Sequence, residues 1–304
     1  MTHDSSNVDK AHLIELPSPF ALEPGTVRLL AAAEGLSGQE LDQLRKGTLG
    51  RPFIIDDDGI RNLFFTLDAV QSAMRLDDPH ALIGAYTRKM MAFLLFRPVP
   101  RHVLMIGLGG GSLAKFCYRH LPSTRITVVE ISADIIALRE EFSIPPDDER
   151  FEVVHDDGAA FLAKSRMRPD VILIDAFDEL GVSPSLASSD FYLRASQCLA
   201  PQGLLVMNVS GQKSRYALHI DSLRAAFPGV IRLVPVDAED NLLLFASRRR
   251  ELSELPDFLQ EQAARLERGL GLEFSHFLKR LRAGYVLDTQ RHKLGDDSQR
   301  TVTT

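Results

Sequence analysis

The chain has 304 residues, of which 45% are apolar, and its formal net charge is −6. This composition supports a sizeable core, and the acidic balance offers no general attraction for nucleic acid or an anionic membrane surface. No apolar run approaches the roughly 20 residues that span a bilayer, and no secretory signal pattern opens the sequence. We therefore expect a cytoplasmic protein that binds neither nucleic acid nor membrane.

The cysteines and histidines give no sign of a disulfide framework or a metal site. The two cysteines, Cys117 and Cys198, lie in apolar segments, as reduced and buried thiols do. The nine histidines are scattered, without an i, i+4 pair or a Cys-His cluster. We predict no bound metal.

The first 100 residues predict two segments before the main domain. Residues 1–50 form an N-terminal extension, with a helical pattern over 37–44. Residues 51–100 hold a β-hairpin with strands at 53–55 and 63–67 around Asp57-Asp58-Gly59, and residues 68–75 lead away from it. An amphipathic helix is predicted over 79–96, where Pro98 and Pro100 end it.

Residues 101–250 alternate between strand-like and helical patterns. The predicted strands are 102–106, 125–129, 151–154, 171–174 and 204–207, an alternation typical of a parallel sheet covered on both faces. Two last strands, 231–236 and 242–246, are joined by a link too short for a crossover helix and must pair antiparallel. The predicted fold class is therefore α/β, a class I methyltransferase-like Rossmann fold. Residues 251–304 are expected to be a helical extension, with periodicity over 252–287 and a disordered tail from 289.

A glycine-rich turn follows the first strand of this domain. Its glycines are Gly107, Gly109, Gly110 and Gly111. Such glycines let the backbone approach a ligand, and Ser112 is expected to cap a helix that begins at Leu113. Alone, the turn is compatible with a nicotinamide site or a plain tight turn, although Ser112 replaces the third glycine of G-x-G-x-x-G.

Acids follow the next three strands at the edge of the sheet where ligands bind. Glu130 ends the second strand, where a carboxylate can accept hydrogen bonds from both ribose hydroxyls. Asp157 follows the third, where it can accept a hydrogen bond from the adenine amine. Asp175 and Asp178 follow the fourth, where a carboxylate can orient an amine and share its proton. A solvated acid or a loop cap is the alternative at each position, but three successive strand ends favour an adenosyl cofactor site.

Residues 53–246 resemble the spermidine synthase, or polyamine aminopropyltransferase, family. Val129-Glu130-Ile131-Ser132 is similar to the family's ribose motif V-E-I-D, and Asp157-Gly158 to its adenine motif D-G. Residues 175–178 match its catalytic D-x-x-D motif. Residues 67–72 resemble a segment whose glutamine lines the cofactor site, and residues 86–87 retain only the tyrosine of a Tyr-His pair.

The resemblance implies a role for each matching residue. Asp175 is the catalytic base, and Asp178 and Tyr86 contact the amine substrate. The cofactor is bound by Gln71, Gly107, Gly109, Gly110, Gly111, Glu130, Asp157 and Gly158. The implied reaction belongs to polyamine biosynthesis: an aminopropyl group moves from decarboxylated S-adenosylmethionine to a small-molecule amine. Family members are dimers or tetramers, so a homo-oligomer is implied as well.

One departure from the family keeps other functions open. The family loop G-G-G-D-G has an aspartate that neutralises the cofactor's aminopropyl ammonium, and Gly110 stands at that position. Full S-adenosylmethionine also presents a carboxylate, which backbone N–H groups attract and an aspartate repels. The alternatives are a methyltransferase that uses S-adenosylmethionine to modify a small molecule or protein, and a non-catalytic adenosyl-binding protein.

Overall fold

The computed structural model of the chain describes residues 12–20, 25–32, 35–67, 69–178, 181–182, 184–210, 216–236, 241–249 and 252–288. The side chains of residues 177, 178, 181, 182, 184 and 288 lie outside this description.

The N-terminal region folds as a five-stranded antiparallel sheet. Its strands, which are hydrogen-bonded in chain order, are β1 (His12–Pro17), β2 (Thr26–Ala31), β3 (Phe53–Asp57), β4 (Ile60–Phe64) and β5 (Val70–Arg75). The predicted hairpin is confirmed as β3 and β4, and its turn residues Asp58 and Gly59 have φ values of 43° and 75°. Positive φ at both positions is the geometry that matches the twist of a two-residue hairpin.

Three of these strands differ from the sequence prediction. β1 and β2 lie in the predicted extension, and residues 68–75, expected to lead away, include β5, which pairs with β4. The pairing explains the difference, because half of the β5 residues are polar and Met74 is the one buried residue of this strand. The predicted helix at 37–44 is confirmed as α1 (Gly38–Arg45), where Ser37 and Glu40 form a capping box.

The helix expected over 79–96 is shorter and consists of an α-helical segment followed by a 3-10 segment. Helix α2 (Ala85–Met90) is followed directly by a 3-10 helix (Met91–Leu95). The prediction of a helix from residue 79 was wrong, because Gly84 has an extended backbone with ψ of 136° and stands as the N-cap. Every residue of the 3-10 helix is buried.

The main domain is an eight-stranded sheet in the order β15-β13-β14-β12-β9-β6-β7-β8. Its strands are β6 (His102–Ile106), β7 (Arg125–Glu130), β8 (Phe151–His155), β9 (Val171–Ile174), β12 (Leu204–Val209), β13 (Val230–Pro235), β14 (Leu242–Ser247) and β15 (Tyr285–Asp288), while β10 (Phe177–Asp178) and β11 (Gly181–Val182) form a separate short ladder. Five strands pair in parallel: β6, β7, β8, β9 and β12. The remaining pairings, β12 with β14, β14 with β13 and β13 with β15, are antiparallel. This arrangement confirms the predicted fold class.

Helices cover both faces of the main sheet. They are α3 (Ser112–His120), α4 (Ala133–Ala137), α5 (Gly158–Lys164), α6 (Ser189–Cys198), α7 (Tyr216–Ala226), α8 (Phe258–Leu270) and α9 (Phe274–Ala283), with a 3-10 helix at Pro184–Ala187. Along β6, Val103 and Met105 enter one apolar core and Leu104 and Ile106 the other. Burial of both faces explains why the central parallel strands are largely apolar rather than alternating.

The C-terminal region departs from prediction at β15, which lies where helical periodicity was expected to continue to residue 287. Gly284 ends α9, and a Cβ there would lie 2.7 Å from the Leu233 carbonyl oxygen. Glycine thus lets the chain approach β13 and pair with it. The predicted tail from 289 lies outside the described residues. In the part of the chain that the structure describes, no helix has the length and apolar content of a membrane span.

An ion-pair network joins the N-terminal sheet to the main domain. Arg61 donates to both carboxylate oxygens of Asp56, each at 2.9 Å, and to the carbonyl and carboxylate of Glu141 at 2.6 and 2.9 Å. Arg28 pairs with the same two acids. Burial acts to raise the pKa of Asp56, but Arg61 and Arg28 outweigh it, so the pKa lies below its ordinary value.

We expect Arg61→Met to reduce the free energy of unfolding by about 2 kcal/mol, because two partly buried acids lose charged hydrogen bonds. Arg45→Met is the matched control, since Arg45 pairs with Asp42 at an exposed site, and it should cost less than about 0.5 kcal/mol. Urea denaturation near pH 7 measures both. The loss in Arg61→Met should shrink as pH falls through the lowered pKa of Asp56; equal losses in the two variants would contradict the prediction.

Candidate active site

A cavity of about 330 Å³ opens where the parallel strands end. That volume is in the range of small-molecule sites, which is about 300–1,000 Å³. Eight of the predicted site residues line it: Gln71, Tyr86, Gly107, Gly109, Glu130, Asp157, Gly158 and Asp175. One cavity therefore collects residues from β5, α2 and the ends of β6, β7, β8 and β9.

The remaining predicted residues are placed differently. Gly110 and Gly111 are absent from the cavity lining, and the side chain of Asp178 lies outside the described residues. The expectation that Ser112 caps the following helix was wrong: α3 begins at Ser112, and Gly111 is the N-cap, in a left-handed conformation with φ of 68°. Ser112 lines the cavity instead.

Gly107 brings the glycine-rich turn against the end of β9. Its φ is 97°, and a Cβ at this position would lie 2.1 Å from the Asp175 carbonyl oxygen. The backbone N–H of Asp175 donates to the Ile106 carbonyl at 3.0 Å. Only glycine satisfies both the left-handed backbone and this contact, so Gly107 determines how closely the turn and Asp175 approach each other.

Glu130 and Asp157 are held by backbone hydrogen bonds. Glu130 is 8% exposed, and its two carboxylate oxygens accept from the N–H groups of Leu108 and Ser132, each at 2.8 Å. Asp157 caps α5 by accepting from the Ala160 N–H at 2.8 Å, and its other oxygen accepts from the Ser185 hydroxyl at 2.9 Å. A carboxylate oxygen has two lone pairs, so each acid can still accept from a ligand.

Asp175 is half-buried, and two neutral side chains donate hydrogen bonds to its carboxyl group. Asn208 Nδ2 donates to Asp175 Oδ1 at 3.0 Å, and the Tyr86 side chain also hydrogen-bonds to the carboxyl group. Loss of solvent raises the pKa of Asp175, and the two hydrogen bonds oppose that rise without cancelling it. A carboxyl group with a raised pKa at the edge of a cavity is suited to exchange a proton with a ligand.

Sequence reasoning missed several contributors to this cavity. Ser72, Ser185 and Leu186 line it, and Asn208 contacts Asp175. Asn208 lies at the end of β12, so the rule that located the acids, which examines the residues that follow each parallel strand, could have found it. Ser185 and Leu186 lie in a 3-10 helix beyond β9 and gave no such signal.

The ionisable groups that line the cavity are all acids apart from Tyr86. Glu130, Asp157 and Asp175 are the charged side chains among the described lining residues, with no lysine, arginine or histidine. Such a lining favours cationic ligands and opposes the pyrophosphate of a nicotinamide dinucleotide. The described residues contain no group of three metal-binding side chains.

Comparison with known proteins agrees with the fold. The model of the spermine/spermidine synthase domain matches residues 84–225. The polyamine aminopropyltransferase of Chromobacterium violaceum is 36% identical over 241 residues, which are 77% of this chain and 92% of that protein. A probable spermidine synthase from Corynebacterium glutamicum superposes with a TM-score of 0.62 at 19% identity, over 83% of this chain and 96% of that one.

Human methyltransferase-like protein 13, solved in complex with SAH, is also similar. Its TM-score is 0.55 at 25% identity, over 62% of this chain and 93% of that one. The fold and the acid-lined cavity thus define a transferase with a methyltransferase-like α/β domain. The chain belongs to the spermine/spermidine synthase family.

We expect Gly107→Ala to reduce the free energy of unfolding by about 3 kcal/mol, because the new methyl group meets a backbone carbonyl at a positive φ. Gly269→Ala is the matched control: Gly269 lies within α8 with nothing within 4 Å of its Cβ position, and alanine there should stabilise by up to about 1 kcal/mol. Thermal unfolding compares the two. A neutral Gly107→Ala would show that the turn does not need the close contact.

Proposed function

We propose that this chain transfers an aminopropyl group from decarboxylated S-adenosylmethionine to a small-molecule amine, with Asp175 as the base. The observation that carries the proposal is the position of Asp175, half-buried at the edge of a cavity whose charged lining, among the described residues, is wholly acidic. Both proposed substrates are cations, since the donor carries a sulfonium and an ammonium and the acceptor is an amine. Membership of the family and the similarity to the Chromobacterium aminopropyltransferase support the same reaction.

The adenosyl half of the donor fits the cavity wall at the ends of β7 and β8. Glu130 can accept from the ribose hydroxyls, and its bonds to Leu108 and Ser132 hold the carboxylate in one orientation. Asp157 can accept from the adenine amine while it caps α5. The cavity residues Gln71, Tyr86 and Asp175 remain for the alkyl chain and the acceptor.

Asp175 acts on the acceptor amine. A free amine has a pKa of about 10 and arrives protonated, so it must lose a proton before its nitrogen can attack. Asp175 attracts the ammonium, takes its proton and, with Tyr86 beside it, orients the lone pair. The acceptor nitrogen then bonds to the methylene carbon next to sulfur, and the carbon–sulfur bond breaks with its electron pair on sulfur, which releases methylthioadenosine.

We predict that Asp175→Asn lowers turnover by about 10²- to 10⁴-fold, the usual contribution of a general base, and leaves donor affinity within about twofold. Methylthioadenosine formation from the decarboxylated donor and a panel of diamines measures turnover, and calorimetry measures binding. Asp190→Asn is the control, because Asp190 lies in the exposed first turn of α6. Unchanged turnover in Asp175→Asn would remove Asp175 from the mechanism.

Methyl transfer from S-adenosylmethionine is the second candidate function, and the packing of Gly110 favours it. A Cβ at Gly110 would lie 2.6 Å from Ser72 Oγ and 2.9 Å from Phe142 Cδ1. An aspartate cannot enter this position without displacing its neighbours, so the donor's ammonium lacks that counter-charge here. The similarity to a methyltransferase solved with SAH points to the same candidate.

The variant Ser72→Asp tests donor choice, because the Ser72 side chain occupies the space into which an acid at Gly110 would project. The new carboxylate should change the ratio of the two dissociation constants by about tenfold in favour of decarboxylated S-adenosylmethionine, since it attracts the ammonium and repels the carboxylate of the full donor. Ser72→Asn is the neutral control of equal size. Calorimetry with both donors gives the ratio.

Product analysis of the unmodified protein then separates the two candidates. S-adenosylhomocysteine from S-adenosylmethionine, without methylthioadenosine from either donor, would overturn aminopropyl transfer. Methylthioadenosine from the decarboxylated donor would overturn methyl transfer as the main reaction.

A further inference from the structure

Two asparagines form a hydrogen-bonded chain behind Asp175. Asn208, at the end of β12, is 2% exposed and donates from Nδ2 to Asp175 Oδ1 at 3.0 Å. Its Oδ1 accepts from Asn241 Nδ2 at 2.9 Å. Asn241 directly precedes β14, the antiparallel neighbour of β12. The chain therefore links Asp175 to a residue that is absent from the cavity lining.

The polarity of this chain follows from the chemistry of its members. An ionised carboxylate only accepts hydrogen bonds, so Asn208 must turn its NH₂ group toward Asp175. Its carbonyl oxygen then faces away and requires a donor, which Asn241 supplies. If Asn208 alone turned over, two acceptors would face each other at Asp175 and two donors at Asn241, which is costly because the Asn208 amide is buried.

Few other groups among the described residues act on the Asp175 carboxyl. Tyr86 contacts it from α2 and Asn208 from β12. The other charged groups in the lining are Glu130, at the end of β7, and Asp157, at the start of α5. Loss of solvent raises the pKa of Asp175, and in the part of the chain that the structure describes two neutral donors oppose that rise. The orientation of one amide therefore has a large influence on the protonation of this acid.

We propose that Asn241, acting through Asn208, is a positioning residue that keeps a hydrogen-bond donor directed at Asp175. This inference rests on the proposed function, in which Asp175 accepts the proton of the amine. Asn241 touches none of the reacting groups, and its contribution is to fix the direction of the Asn208 amide.

The test reverses the polarity of the chain. Asn241→Asp has the same shape but only accepts, so Asn208 should turn its NH₂ toward residue 241 and its oxygen toward Asp175. We expect the acidic limb of the pH–rate profile to move to higher pH by about one unit, a tenfold change in the protonation equilibrium, with the KM of the donor unchanged. Asn241→Leu, which removes the donor without adding charge, should shift the limb in the same direction by less.

Two further variants separate this effect from added charge and from loss of structure. Asn62→Asp adds the same charge on β4, outside the asparagine chain, and should leave the limb in place. Asn241→Gln restores an amide donor and should recover most of the unmodified profile. Wild-type profiles in both Asn241→Asp and Asn241→Leu would overturn the proposal.

A readout that does not depend on activity distinguishes this inference from the proposed function. The Asp175 carboxyl carbon can be titrated by ¹³C NMR in protein labelled at aspartate, and Asp175→Asn assigns its signal. A raised pKa of Asp175 in both Asn241→Asp and Asn241→Leu supports the positioning role, even if no methylthioadenosine forms. Absence of methylthioadenosine would count only against aminopropyl transfer. An unchanged pKa of Asp175 in both variants would overturn the inference, whatever the activity.

Discussion

The contact between Gly107 and the backbone of Asp175 is the constraint on which the site depends. The first and fourth parallel strands lie side by side, and the backbone bond from Asp175 to Ile106 continues their ladder beyond the strand ends. The turn can then bend into the cavity only if residue 107 has no side chain, since a Cβ would overlap the Asp175 carbonyl. The glycine-rich turn and the proposed base are thus held together at one edge of the sheet, which suits a reaction that requires its atoms held in line.

The three acids of the cavity differ in the hydrogen-bond donors that stabilise their carboxylates. Glu130 and Asp157 are satisfied by backbone N–H groups and, for Asp157, by a serine hydroxyl. Among the described residues, the Asn208 amide and the Tyr86 side chain are the groups that hydrogen-bond to Asp175, and its pKa is raised. Two acids are therefore suited to hold a ligand and one to exchange a proton. This division of roles is created by neighbours rather than by the type of residue.

The parallel sheet and its acids could be predicted because they depend on local patterns. Apolar runs identify strands buried on both faces, and the polar residue that ends a run marks the ligand edge. The N-terminal strands could not be predicted so readily: β1 and β5 carry mostly exposed or half-exposed side chains, and they are strands because of their partners in the sheet. Asn241 likewise has no local signature, since its role arises from its pairing with Asn208 across two strands.

The N-terminal sheet is part of the site rather than a separate attachment. Ser72 of β5 fills the space beside Gly110, and Ile144 fills the space beside Gly111. The segment that carries Ile144 is held through Glu141, which accepts from Arg61 of β4. The glycine turn is therefore packed between the N-terminal sheet on one side and a segment anchored to that sheet on the other. A change in the N-terminal sheet can therefore alter the packing of the glycine-rich turn without replacing any of the acids that line the cavity.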